Sequence, residues 1–245
     1  MNMGKRIEAK DLREQRRQDL VNVVPLPQPY VIYIDPTNIC NFKCAFCPTA
    51  DESLLEAVGR SKASMSMDNF KRIVDQIKQF PGPLKLLSLY KDGEPLLNKS
   101  FPDMVRYAKR MNIAQRIWTK TNGSLLNPSL NQEIIDAGLD MIHISIEHVS
   151  GEGYKAIAGV NIRYDQIVEG IRDLYSRRKE CKIYIKIADA SLTAEEKEKF
   201  YRDFEGISDY IAVEKLMGWS YSNLKDFTLG IESETYDGLP LIDKV

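Results

Sequence analysis

Cysteine is scarce in this 245-residue chain: it occurs four times, and not at all after Cys181. A disulfide framework calls for a small secreted chain with paired cysteines. This chain is neither small nor led by an apolar secretory segment over Met1–Gln28. An excess of one charge is lacking too. The 34 Lys and Arg against 35 Asp and Glu leave a net charge of −1, which offers no general surface for nucleic acid or membrane. No apolar run approaches the ~20 residues of a membrane helix. No strand–Gly-rich–helix stretch with Lys-Ser/Thr is present, so the glycines do not form a phosphate loop. With 43% hydrophobic and 28% charged residues, the composition is that of a soluble globular protein, expected in the reducing cytoplasm.

The three other cysteines lie together in Cys40-Asn41-Phe42-Lys43-Cys44-Ala45-Phe46-Cys47, spaced C-x3-C-x2-C. Three thiolates on one short loop can hold three irons of a [4Fe–4S] cube. Such clusters normally take four thiolates, so one iron is left open to a ligand that is not protein. Zinc also favours Cys-x-x-Cys, but a structural zinc needs four ligands. The spare candidates His143, His148 and Cys181 are about a hundred residues away or more. Asn41, Lys43 and Pro48 mark the stretch as loop rather than core.

This octapeptide, with Phe46 just before the third cysteine, resembles the radical S-adenosylmethionine (SAM) enzymes. The resemblance runs from about Tyr30 to Trp219. It implies that Cys40, Cys44 and Cys47 hold a [4Fe–4S] cluster whose open iron is chelated by the amino and carboxylate groups of SAM. It implies reductive cleavage of SAM and hydrogen-atom abstraction from a substrate, with the cofactor supplying the difficult chemistry. Gly93-Glu94-Pro95 resembles the family element that receives the SAM amino group; Asp92 stands where the family often has a second glycine. The resemblance places Thr121, Asn122 and Ser145 near SAM's methionine and ribose, and Phe46 beside the cofactor. Ser145-Ile146-Glu147 with Gly151-Glu152-Gly153-Tyr154 and Ala158-Gly159 resembles the SPASM/twitch-type subgroup of peptide-, sulfatase- and aminoglycoside-modifying enzymes. Many of these carry auxiliary clusters in a cysteine-rich C-terminal domain. The implied partners are a low-potential electron donor such as flavodoxin or ferredoxin and a peptide, sugar or other small-molecule substrate. A radical methyl- or sulfur-transferring enzyme and a non-catalytic iron–sulfur or zinc electron-transfer protein are the rival readings.

Along the chain, Ile7–Asn22 reads as a helix of mixed charge with a solvated face, and Pro25, Pro27 and Pro29 as an extended lead-in. Strands are expected over Tyr30–Asp35, Leu84–Tyr90, Arg116–Thr121, Met141–Ile146, Cys181–Ala188 and Tyr210–Leu216. Helices are expected over Met67–Phe80, Phe101–Met111, Ser129–Ala137, Asp165–Arg178 and Thr193–Phe204, the last opened by a Thr193/Glu196 capping box. Alternating strands and helices call for a parallel sheet with right-handed crossovers. Six strands are too few for a closed eight-stranded barrel. The fold class is therefore α/β, a partial (β/α)6 TIM-like barrel over 30–219, with an N-terminal segment over 1–29 and a cysteine-free tail over 220–245. That tail leaves either a one-cluster protein or part of a longer chain.

Loops at the strand C-termini carry the chemistry of such barrels. Alternation puts Ile142, Ile144 and Ile146 under the helices and Met141, His143, Ser145 and Glu147 inside. Likewise Ile183, Ile185 and Ile187 point outward and Lys182, Tyr184 and Lys186 inward. Lys186 and Glu147 are the candidate catalytic residues, because an inward lysine is costly unless paired, with SAM, an acidic substrate group, Glu147 or Glu214.

Overall fold

A computed structural model describes residues 4–7, 23–189 and 192–215. Seven strands form one sheet: β1 (Lys5–Arg6), β2 (Val31–Tyr33), β3 (Leu86–Ser88), β4 (Ile117–Thr121), β5 (Met141–Ile146), β6 (Lys182–Ala188) and β7 (Tyr210–Glu214). Their order is β1-β7-β6-β5-β4-β3-β2, and every pairing is parallel. The helices are α1 (Glu52–Ala57), α2 (Met67–Ile77), α3 (Phe101–Met111), α4 (Pro128–Ala137), α5 (Gly151–Ala158), α6 (Tyr164–Arg177) and α7 (Ala194–Phe204). From β2 to β7 the strands follow the chain order across the sheet, which is the open barrel arc that the alternation demands.

The inside-outside assignment holds in β5 and β6 except at Lys182, which is exposed and pairs with Asp209 at 3.6 Å. Ile142, Ile144 and Ile146 of β5 and Ile183, Ile185 and Ile187 of β6 are buried beneath the helices, each removing about 1.5–3 kcal/mol worth of apolar surface from water. Phe70, Val74, Phe101, Met104, Val105, Ile134, Ile171 and Leu174 are the helical side of that core. Local chemistry sets the helix ends. The Ser66 and Asn127 side chains accept the first free amides of α2 and α4, and the Thr193/Glu196 capping box opens α7.

Three features depart from expectation. The sheet has a further edge strand, Lys5–Arg6, so it is not confined to 30–219. Two charged residues give no strand signal; tertiary contacts hold them there. Gly4 N–H donates to Glu205 O at 2.6 Å, and the Arg6 guanidinium pairs with Glu205 at 2.9 Å and lies 4.0 Å from the Tyr201 ring centre. Gly151–Ala158 is a helix, capped by Ser150, which accepts from Gly153 N–H at 3.1 Å. Strands β2 and β3 are shorter than read, and Leu84 contributes only an isolated bridge to Ala114. Apart from Ile7, the N-terminal charged helix lies outside the described residues, as does everything from Leu216 on.

Candidate functional site

The cysteine loop leaves β2 at the C-terminal end of the sheet, and neighbouring segments fix it at both ends. At its start, Asn38 Nδ2 donates to Ser61 O at 2.7 Å and Asn98 Nδ2 donates to Pro36 O at 2.7 Å. Further on, Lys43 and Ala45 N–H donate to Ala158 and Ile157 carbonyls at 2.8 Å each, so the C-terminus of α5 holds the loop. Phe42 and Tyr154 meet edge to face at 5.9 Å. The Gly151–Gly159 stretch thus acts on the cysteines through its backbone. Gly153 has its own reason: a Cβ there would come 1.9 Å from the His148 ring.

Cys40, Cys44 and Cys47 are free thiols; Cys44 is buried and the other two half-buried. Burial pushes the Cys40 thiol up to about 11, assisted by the nearby Glu94, Cys47 and Glu147. Burial and Glu147 push Cys44 up further. Thiols in such a setting become thiolates only when a metal's positive charge offsets their burial. Among the described residues no three Cys, His, Asp or Glu side chains converge closely enough for one ion. Thiolates that each bind a different iron of a cube stand further apart than the ligands of a single zinc. The fourth cysteine, Cys181, is buried at the N-terminal start of β6, at the opposite end of the sheet. His148 is engaged by Ser150 at 3.2 Å and Glu196 at 3.5 Å.

Glu94 is the centre of the next layer. Its Oε1 accepts from Thr121 Oγ1 at 2.7 Å and Leu96 N–H at 3.0 Å, and its Oε2 accepts from Asn122 N–H at 2.7 Å. Only 2% of the residue is exposed, and burial holds its carboxyl up to about 7 despite those three donors. A carboxylate offers about four acceptor sites. Three are taken and one on Oε2 is left, which fits an N–H of the SAM amino group. The Asn122 side chain donates to Asn41 Oδ1 at 2.9 Å, and Asn41 donates to Ser124 Oγ at 2.9 Å, so the same turn grips the cysteine loop.

Gly93 has a more immediate purpose than close approach to a ligand. A Cβ on it would lie 2.2 Å from Thr37 O and 2.7 Å from Ile39 O, and Glu94 N–H donates to Ile39 O at 2.9 Å. The glycine lets the cysteine loop cross over the Gly93-Glu94-Pro95 turn. The structure also accounts for Asp92. Its carboxylate pairs with Arg60 at 2.8 Å, and its amide donates to the Asp35 carboxylate at 3.2 Å. Asp92 thereby ties the segment after α1 to the end of β2.

Inside the arc, polar and aromatic side chains alternate with the buried isoleucines. Tyr33, Tyr90, Trp118, His143 and Tyr184 form a row across the strands, each ring edge-on to the next at 4.2–5.9 Å. Above that row, Lys186 pairs with Glu214 at 2.5 Å, and Tyr184 Oη donates to Glu214 Oε1 at 2.6 Å. Burial raises the Glu214 carboxyl, but Lys186 and Tyr184 outweigh it and hold it below its ordinary value. Burial holds Glu147 up to about 7, against the pull of Lys186 and Lys120. Burial and the two lysines hold His143 neutral, down to about 2.

The structure therefore gathers the expected residues at one end of the sheet. The loop of Cys40, Cys44 and Cys47 meets Glu94 where the Glu94 N–H donates to Ile39 O, with Pro95 starting the turn after Glu94 and Thr121 and Asn122 bonded to it. Ser145, Glu147 and Lys186 line the interior, where Ser145 sits in register with Lys186. Phe46 is half-buried against the core. Lys186 takes Glu214 as its partner. Sequence reading missed Asn41, Ser124 and Lys120. Lys120 was open to discovery, since it shares its strand face with Trp118 and pairs in register with His143.

Comparison with known proteins agrees with this layout. Residues 34–187 match the family model of the radical SAM superfamily. A tungsten-containing aldehyde ferredoxin oxidoreductase cofactor-modifying protein of Pyrococcus furiosus is 30% identical over 116 residues, 47% of this chain and 30% of that protein. A probable GTP 3',8-cyclase of Metallosphaera sedula is 30% identical over 137 residues, 56% of this chain and 40% of that one. The chain thus spans less than half the length of these relatives. Among solved structures, Streptococcus suis SuiB bound to S-adenosylmethionine shares the fold with a TM-score of 0.62 and 17% identity, over 89% of this chain and 47% of SuiB. The cysteine loop over the barrel end, the buried carboxylate beneath it and the match over most of the barrel lead to one assignment: the chain belongs to the radical SAM superfamily, whose cofactors are a [4Fe–4S] cluster and SAM.

Proposed function

We propose that this chain is the catalytic unit of an enzyme that cleaves SAM reductively and abstracts a hydrogen atom from a peptide, sugar or other small-molecule substrate. One observation carries the reading: the loop of the three free cysteines crosses the Gly93-Glu94-Pro95 turn at Ile39, and the Glu94 carboxylate keeps one acceptor site after three bonds. Cys40, Cys44 and Cys47 would hold the cluster, and Glu94 would accept an N–H of SAM's amino group. When bound, cluster and SAM would supply the one-electron, hydrogen-abstracting chemistry, spending the electron taken from the donor. The chain's own residues do the rest. Thr121, Asn122 and Leu96 keep the Glu94 carboxylate oriented, and an N–H donor arriving at the remaining acceptor site favours its ionised form. Ser145 and the aromatic row bound the space beneath. Glu147, with a carboxyl near 7, can hold or release a proton in that interior. Lys186 is a positioning residue, committed to Glu214.

The named relatives act on different molecules, and SuiB has also been solved with the precursor peptide SuiA bound. The substrate class of this chain is therefore a property of its own interior. A low-potential flavodoxin- or ferredoxin-type donor and a cytoplasmic setting suit an oxygen-sensitive cluster. Among the described residues no helix is long and apolar enough to cross a membrane. The test is anaerobic reconstitution followed by incubation with SAM and dithionite. Release of 5′-deoxyadenosine by the wild type, and none by Cys44→Ala, is the expected result. A reconstituted, iron-loaded wild type that leaves SAM intact would refute the proposal.

A further inference from the structure

The charges that line the arc decide what can lie inside it, and they do not cancel. Lys186 is matched by Glu214 at 2.5 Å. His143 is neutral, and Glu147 is held up to about 7, so it carries only part of a charge near neutrality. Lys120 is left over. Among the described residues its ammonium makes no hydrogen bond and no ion pair; it rests 5.1 Å from the centre of the Tyr90 ring. Burial and Lys186 lower its pKa to about 8, with Glu214 and Glu147 opposing, so it is still mostly charged at neutral pH. A cation–π contact offsets only part of the cost of holding an ammonium away from water.

Depth separates this lysine from the cofactor end. Lys120 pairs in register with His143, whereas Ser145 and Lys186 pair one inward-facing layer nearer the cysteine loop. Around Lys120 stand the half-exposed rings of Tyr90, Trp118 and His143, with Trp118 held by a hydrogen bond from its Nε1 to Ser88 Oγ.

We propose that Lys120 anchors an anionic group of the substrate, a carboxylate or a phosphate, while the substrate's body lies along Tyr90, Trp118 and His143. The proposal rests on the function proposed above and narrows it: of peptides, sugars and other small molecules, those with an acidic group beside a flat or apolar portion fit. An uncharged sugar leaves Lys120 unpaired.

The test uses probes of one shape and different charge on the reconstituted full chain under nitrogen. Benzoate, phenyl phosphate and neutral benzamide are titrated by calorimetry and ligand-observed NMR. The wild type should bind the better anion at least about tenfold more tightly than benzamide, the worth of one charge-assisted hydrogen bond. The tighter of the two anions identifies carboxylate or phosphate as the source. Lys120→Met should erase the preference and Lys120→Arg should restore most of it, with SAM affinity within about twofold throughout. Three results would overturn the proposal: equal binding of anion and amide by the wild type, a preference that survives in Lys120→Met, or SAM affinity that falls with anion affinity. The last would make the anion the cofactor's own carboxylate. No turnover is required, so failure to cleave SAM would sink the proposed function and leave this titration readable.

Discussion

Replacing Glu94 by Gln changes one charge and almost no volume, and its two consequences should separate. Every neighbour of the carboxylate is a donor: Thr121 Oγ1 and Leu96 N–H at one oxygen, Asn122 N–H at the other. An amide has one oxygen. Turned to keep the first two bonds, it aims its NH2 at the Asn122 N–H and leaves that donor unsatisfied, a cost of about 1–3 kcal/mol. The amide also escapes the cost of ionising a buried carboxyl held up to about 7. Net stability of the metal-free protein should therefore fall by no more than about 2 kcal/mol. The amino group of SAM loses a hydrogen bond to a charged acceptor, about 1.5–3 kcal/mol, or roughly ten- to a hundredfold in affinity. Wild-type affinity should also drop as pH falls below 7, because SAM must then displace a proton from Glu94 in addition to the proton its amine gives up on binding the open iron. The Glu94→Gln variant should keep only the amine's share of that slope and so respond less steeply to pH. Urea melts and anaerobic calorimetry with SAM between pH 5.5 and 7.5 measure both effects. SAM affinity within twofold of wild type, in a variant that keeps its iron, would refute the placement of SAM at Glu94.

Gly93→Ala should force the cysteine loop away from Thr37 O and Ile39 O, lowering stability by about 1–3 kcal/mol and reducing iron retained on reconstitution; wild-type melting would show that the loop yields freely. Cys181→Ala, at the far end of the sheet, should leave iron content unchanged by colorimetric analysis. For the metal-free protein, the raised carboxyl of Glu94 binds its proton more tightly folded than unfolded. That contribution is present below pH 4.5 and is lost as pH rises to about 7, roughly 3 kcal/mol, with Glu147 acting in the same direction. Urea midpoints across that range should fall, and fall less in Glu94→Gln; identical slopes in the two proteins would contradict the burial argument. A double-mutant cycle on Lys186→Met and Glu214→Leu should return coupling of about 1–3 kcal/mol, reduced from that of a fully buried pair by residual solvent, and no coupling would dissolve the pair.

Much of this was written in local patterns. The cysteine spacing and the turn after β3 carry their chemistry in a few residues, and the isoleucine alternation in β5 and β6 sorts inside from outside without reference to anything distant. The capping box of α7 is equally local. What escaped was tertiary. Lys5–Arg6 becomes a strand because Glu205 and Tyr201 receive Arg6, not through any propensity of its own. Gly153 is glycine because the His148 ring occupies the space of its Cβ, and Asp92 is acidic because Arg60 arrives from another segment. Lys120 had the right parity for an inward position, but that no carboxylate among the described residues pairs with it shows only when β5, β6 and β7 are placed beside it.

The central claim is that Cys40, Cys44 and Cys47 alone hold one cube with an iron left for SAM. Iron analysis with Mössbauer spectra of the anaerobically reconstituted chain tests it most directly. The account predicts about four irons per chain in a single [4Fe–4S] cluster, one iron site changing its spectrum when SAM is added, and no cluster in the triple alanine variant. A triple variant that still holds a full cube, or a wild-type cluster whose four irons are all indifferent to SAM, would contradict it.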